Sequence, residues 1–215
     1  MYSFGTSWPY KCLEATLEKR FSILHMSNMI LAIGNIVFHA TLQHVVQQSD
    51  ETPMIWEMLL YLYVLYSPDW HYRSTMPTFL FLYAAGFAVA HNLLRLDALF
   101  KLQYVLLCLL CVPRMYKYHI HTKDAGAQRI AKLYVATIVL GCLCWLADRI
   151  FCSKFSSWYI NPQGHAWWHV LMGFNSYLAN AFLMFCRAQQ LEWKPRVAHL
   201  FGFLPYVKID KAKRM

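Results

Sequence analysis

The stretch NPQGHAWWHVLMGFNSYLANAFLMFCR, residues 161 to 187, decides how the rest of the chain is read. From His165 to Cys186 it is long and apolar. A helix rises about 1.5 Å per residue, so such a run can cross a hydrocarbon layer of about 30 Å. Yet its head carries two histidines, His165 and His169, four residues apart. On a helix that spacing sets both imidazoles on one face, about one turn apart. Two neutral imidazoles in that relation can bind one metal ion. A single stretch therefore points to a membrane helix and to a metal site at its end.

The composition agrees with the first half of that reading. Of the 215 residues, 58% are hydrophobic and only 14% are charged, where soluble domains carry roughly a quarter. With a mean hydropathy of +0.30, the chain reads as a polytopic membrane protein. Six apolar stretches can be marked, at roughly 22–42, 53–67, 77–92, 97–113, 129–151 and 165–186. The second to fourth are short for a span, but Tyr, Trp and His at their edges suggest interfacial extensions. The expected fold class is all-α, a polytopic transmembrane bundle of six helices. No polar linker, repeat or low-complexity tract divides it. Its parts are an N-terminal segment over 1–20, the bundle over 21–190 and a basic tail over 191–215. The seven cysteines lie mostly in apolar segments and read as buried free thiols, the Cys108–Cys111 pair included.

The net charge of +9 raises the possibility of a nucleic-acid partner. The distribution of charge argues against it, because the basic residues form no single stripe. Lys11, Lys19, Arg20, Arg73, the group from Arg114 to Lys132 and the group from Arg187 to Arg214 alternate with loops that hold only Arg95, Lys101, Arg149 and Lys154. That is the positive-inside pattern of a chain with both ends on the cytosolic side. Residues 1–20 have no apolar core of a signal peptide, so the stretch 22–42 is expected to act as the insertion signal.

Ionisable groups are costly inside a membrane and usually face the protein interior, where function lies. His39, Asp50, His165 and His169 stand out. In the topology above, His39 ends the first helix, Asp50 follows in the loop before the second, and the histidine pair begins the sixth. All four fall on one side of the membrane. Three histidines with a fourth position left for water are the pattern of a catalytic zinc site. Zinc lowers the pKa of bound water to roughly 7, enough to attack an amide or ester carbonyl. The pair resembles H-E-x-x-H but has Ala166 after the first histidine, so a general base must come from elsewhere, and Asp50 is the nearest candidate. Glu57 and Asp148 could orient the imidazoles or make structural pairs. Ser176, two turns beyond His169, could touch substrate or be a small residue at a helix contact. His25, His44, His91, His119, His121 and His199 read as loop or interface residues.

The stretches FHATLQ, DETPMIWE, SPDWHYRSTMPTFLFLY, CLLCVPRMYKYHIHT, WLADRIFC, NPQGHAWWHV and FLPYVKID run in order through residues 18–210. Together they resemble the alkaline ceramidases, in particular the plant alkaline phytoceramidase type. The resemblance implies a seven-helix hydrolase of the endoplasmic reticulum or Golgi with a cytosolic C-terminus. It implies ceramide or phytoceramide as substrate, cut at its amide bond to a sphingoid base and a fatty acid. It also implies zinc on His39, His165 and His169, proton transfer by Asp50, and Ser176 in the same neighbourhood. The family carries a further helix, an acidic stretch and a calcium site ahead of LEKRFSILH. Here MYSFGTSWPYKC stands in that place without an acid, so calcium ligands are not expected. The family also has serine four residues before the first histidine, where this chain has Asn35. An asparagine amide can donate to an oxyanion, which makes Asn35 a candidate catalytic group. The alternative is a lipid-binding or regulatory membrane protein in which zinc is a structural clip.

Overall fold

The computed structural model of the chain describes residues 19–41, 44–66, 70–94, 97–155 and 162–210. Of the expected N-terminal segment only Lys19 and Arg20 fall among them, and the last five residues of the basic tail lie outside. The described residues form six helices: α1 (Lys19–Thr41), α2 (His44–Tyr66), α3 (Trp70–Leu94), α4 (Asp97–His121), α5 (Ala125–Phe155) and α6 (Gly164–Gln190). A two-stranded sheet follows, β1 (Lys194–Leu200) and β2 (Leu204–Asp210). The fold class is all-α and polytopic, as the sequence indicates. The chain divides into two compact units, Met1–His121 and Thr122–Met215.

In the first unit α2 packs against α1, α3 and α4. Its Ile55, Leu59, Leu62 and Leu65 are buried. The outer faces of its neighbours are the reverse of a soluble protein's. Ile30, Ile33 and Ile36 on α1, Phe79, Phe81 and Leu82 on α3, and Leu102, Leu106 and Leu109 on α4 are all exposed. A water-soluble monomer does not show such continuous apolar faces, whereas lipid accepts them at no cost. By length and composition α1, Thr75–Leu94 of α3, Ala98–His121 of α4 and Ala125–Lys154 of α5 can each cross a membrane. The chain is an integral membrane protein with several spans.

The sequence reading puts Asp50 in a loop ahead of the second helix. The structure places it inside α2, which begins at His44, well before the apolar run. The polar turns are held by side-chain pairs at helical spacing. Gln47 donates to Glu51 at 2.7 Å, and the Thr52 hydroxyl donates to the Gln48 amide oxygen at 3.1 Å. Such i, i+4 bonds support a helix whose residues carry no apolar signal. Pro53 lies within α2 without an N–H for the Ser49 carbonyl. That carbonyl meets Gly34 of α1 so closely that a Cβ there would collide with it. The Ser49 hydroxyl also donates to the Gly34 carbonyl at 3.2 Å.

In the second unit α5 and α6 run antiparallel and pack along their length. Asp124 caps α5, its Oδ1 accepting the Ala127 N–H at 2.8 Å, which satisfies one otherwise orphaned donor of the first turn. Midway, the Asn175 amide donates to the Tyr134 carbonyl at 2.7 Å and to the Thr137 hydroxyl at 3.1 Å. Near the other end of α5 the Cys144 carbonyl would lie 2.7 Å from a Cβ at Gly164. After α6 the chain turns back through Glu192, at φ 58°, and the β1–β2 hairpin returns along the helix. The Tyr177 hydroxyl donates to the Pro205 carbonyl at 2.7 Å. The sequence reading takes this region as a basic tail, and the hairpin is new.

The close approach at Gly34 has a measurable consequence. Gly34→Ala should lower the stability of the purified chain by about 2 kcal/mol, the range for forcing extra volume into a packed contact. Gly86→Ala should leave the melting temperature unchanged or raise it slightly, since nothing lies within 4 Å of its Cβ position. Thermal unfolding in detergent distinguishes the two, and equal behaviour would refute the contact.

Candidate metal centre

His165 and His169 occupy the first turns of α6. Gly164 allows this start to press against α5, with Asp148 beside it: the Asp148 Oδ1 would lie 3.3 Å from a Cβ at Gly164. The Nε2 atoms of the two histidines are 3.0 Å apart. Their rings meet edge to face, with centroids 4.7 Å apart and planes at 82°. Two ring nitrogens so close need a proton or a cation between them, because two lone pairs repel. Tetrahedral zinc with bonds of about 2.0–2.1 Å sets its nitrogen ligands about 3.3 Å apart. The observed pair therefore fits one small cation with little adjustment.

In the first unit His39 stands in the last turn of α1. Asn35, one turn earlier, donates from Nδ2 to Oδ1 of Asp50 at 3.1 Å. Asp50 is buried and lies within the electrostatic reach of His39 and Glu51. A buried carboxylate without a donor is strongly disfavoured, so the Asn35 bond is what makes this position tenable. The Gly34–Ser49 contact sets Asn35 and Asp50, the next residue on each helix, opposite one another. His39 in this unit and the His165–His169 pair in the other are the three imidazoles that the sequence assigns to one metal ion. Ser176 is half-buried on α6, two turns past His169. Glu57 is buried on α2.

A profile of the Ceramidase family matches residues 1–208. The chain belongs to the ceramidase family. It is 69% identical over 201 residues to the alkaline ceramidase of Arabidopsis thaliana, across 94% of this chain and 79% of that protein. It is 27% identical over 213 residues to alkaline ceramidase 3 of Mus musculus, across 92% and 78% of the two. With the alkaline ceramidase of Drosophila melanogaster the identity is 24% over 197 residues, across 84% and 68%. Membership makes the chain an amide hydrolase of the ceramidase type.

This ceramidase also buries a polar pair that the sequence reading misplaces. His91 reads there as a loop or interface residue, but it is fully buried in α3. Its ring stacks between Phe87 and Phe100, with centroids 5.3 and 5.6 Å away. Its Nε2 lies 2.7 Å from Oε2 of Glu51, whose other oxygen accepts from Gln47. Two consecutive acids of α2, Asp50 and Glu51, thus each have a dedicated partner on a different helix. The available signal was a histidine within the apolar run AVAHNLL, where an unpaired imidazole would be costly.

Removing that partner should matter more than any surface change. His91→Ala should destabilise the fold by about 3 kcal/mol, from a lost aromatic sandwich and a part-buried Glu51 carboxylate left with Gln47 alone. His121→Ala, on an exposed histidine, should stay within about 0.5 kcal/mol of the parent. Thermal melts of both variants check this, and indistinguishable melting temperatures would contradict it.

Proposed function

We propose that the protein hydrolyses the amide bond of ceramide or phytoceramide, using zinc held by His39, His165 and His169 and proton transfer by Asp50. The observation that carries the reading is the 3.0 Å approach of the His165 and His169 ring nitrogens. Family membership supplies the reaction class, and the alkaline ceramidase relatives suggest the substrate. A zinc ion bound there would supply a Lewis acid for the amide carbonyl and would make water acidic enough to act as nucleophile.

The remaining work belongs to the chain. The Asp50 carboxylate takes a proton from the attacking water as oxygen adds to the carbonyl carbon. It then gives that proton to the departing nitrogen as the carbon–nitrogen bond breaks. Amide nitrogen is a poor leaving group until protonated, so this delivery is essential. Asn35 pins Asp50 Oδ1 and leaves Oδ2 as the oxygen that carries the proton. We assign Asn35 to positioning Asp50 ahead of a direct part in oxyanion binding. Apolar helix walls would shelter the two alkyl chains and keep bulk water from the reacting amide. Ser176, half-buried on α6, is assigned a contact with the substrate. We assign the protein to the endoplasmic reticulum or Golgi membrane on the family resemblance, and its C-terminus to the cytosolic side on the distribution of Lys and Arg.

Three variants separate these roles. His165→Ala should lose bound zinc and activity together. Asp50→Asn should keep zinc while turnover of a labelled phytoceramide falls by about 10²–10⁴-fold. Asn35→Ala should keep zinc, lower kcat by about tenfold and leave KM nearly unchanged, as expected when only a positioning bond is lost. Metal analysis and hydrolysis on the same preparations read all three. An Asp50→Asn enzyme with undiminished turnover would refute the proton-transfer role and favour a structural zinc clip.

A further inference from the structure

The β1–β2 hairpin is not needed to assemble the histidines or Asp50, yet it is ordered by specific contacts. Its register pairs Leu200 with Leu204, leaving Phe201, Gly202 and Phe203 as the connecting tip. Both aromatic side chains of the tip are outside any core, Phe201 81% and Phe203 74% exposed. Phe201 also takes φ 52°, a left-handed conformation that suits glycine or asparagine and is unfavourable for a bulky residue. An aromatic group is being presented at a position where the backbone would be more comfortable without one.

The depth of that tip can be read within the second unit. Asn175 of α6 is level with Tyr134 and Thr137 of α5. Pro205, next to the tip, is fixed to Tyr177, less than one turn further along α6. The tip is therefore level with the region of Lys132 to Thr137. This is where α5 changes character. Arg129 and Lys132 are exposed and charged, and no charged residue then occurs before Asp148. From Leu133 onwards the exposed side chains are apolar, Val135, Val139, Leu140 and Leu143 among them. That change marks the membrane–water boundary on the C-terminal side. The strands lie on its aqueous side, as they must, because open sheet edges are not tolerated in hydrocarbon.

The hairpin also carries charge in a deliberate place. Arg196 and Lys208 are exposed and directly opposite in the ladder. Lys194 pairs with Asp210 in the same ladder, so the hairpin carries three basic side chains to one acid. They sit on the same strands as the aromatic tip, further from the boundary. Aromatic groups at the boundary with cations just behind are the chemistry of an anionic lipid surface.

We propose that the β1–β2 hairpin is a membrane-surface anchor: Phe201 and Phe203 enter the interfacial layer of the leaflet nearest the C-terminus, and Arg196 and Lys208 hold anionic phospholipid headgroups. The anchor fixes the C-terminal half of α6 against the bilayer through the Tyr177–Pro205 bond. It is independent of the metal chemistry.

The test uses the full chain, one copy per nanodisc, and hydrogen–deuterium exchange. Discs of phosphatidylcholine alone are compared with discs containing added phosphatidylserine. The tip amides, 201–204, should exchange about tenfold more slowly with phosphatidylserine, the scale expected from two basic residues near an anionic surface. Arg196→Gln/Lys208→Gln should abolish that difference, and Phe201→Ser/Phe203→Ser should remove tip protection in both discs. Amides within the strand ladder report whether each variant keeps the hairpin, and Phe203→Ala replaces the double change if it does not. Equal tip exchange in the two lipids, with the ladder intact, overturns the proposal. Slowing that occurs only with two copies per disc also overturns it, in favour of self-association.

Discussion

The close approach of α1 and α2 at Gly34 and Ser49 is the constraint on which the chemistry of the first unit depends. A carboxylate cannot be buried among apolar helices without a donor. Asp50 receives one from Asn35 only because the two helices touch one residue earlier. The absence of a side chain at Gly34 permits the contact. Pro53 contributes by removing the N–H that would otherwise engage the Ser49 carbonyl within α2. A small residue, an imino acid and an amide thus act together to hold one acid in place, one turn from a candidate ligand.

The same logic extends to the other polar residues of the helices. In water, Glu51 or Asn175 could be satisfied by solvent, and its partner would be a matter of indifference. In a membrane each needs a partner from the protein. Glu51 has His91 and Gln47, and Asn175 has the backbone and hydroxyl of α5. His165 and His169 approach each other, Nε2 to Nε2, at 3.0 Å. One cation can take the place of the proton they share, so the pair is set to serve as metal ligands. Ceramidase-type hydrolysis fits a site of this kind, where both the amide and its alkyl chains are insoluble in water.

Much of this was legible in the residues. Apolar runs locate the helices because lipid exposure requires them, and the third and fourth stretches are longer than hydropathy alone marks them, at Thr75–Leu94 and Ala98–His121. The i, i+4 histidines are readable because helical geometry is local. The position of Asp50 was not, since QQSDETP carries no apolar periodicity and its helix is held by side-chain pairs instead. His91 was misplaced because burial of a lone imidazole depends on Glu51, forty residues away. In the last segment, the basic residues around KPRVAHL obscure a strand alternation that the turn FGF, lacking Asn-Gly or Asp-Gly, does not announce.

Zinc on the three histidines is the central requirement of the proposed chemistry. X-ray absorption at the zinc edge, on the folded and active chain, measures it directly. The expected result is about one zinc per chain with three imidazole nitrogens at about 2.0–2.1 Å and no sulfur. Sulfur ligands at about 2.3 Å, or full activity in a chain free of zinc, would contradict it.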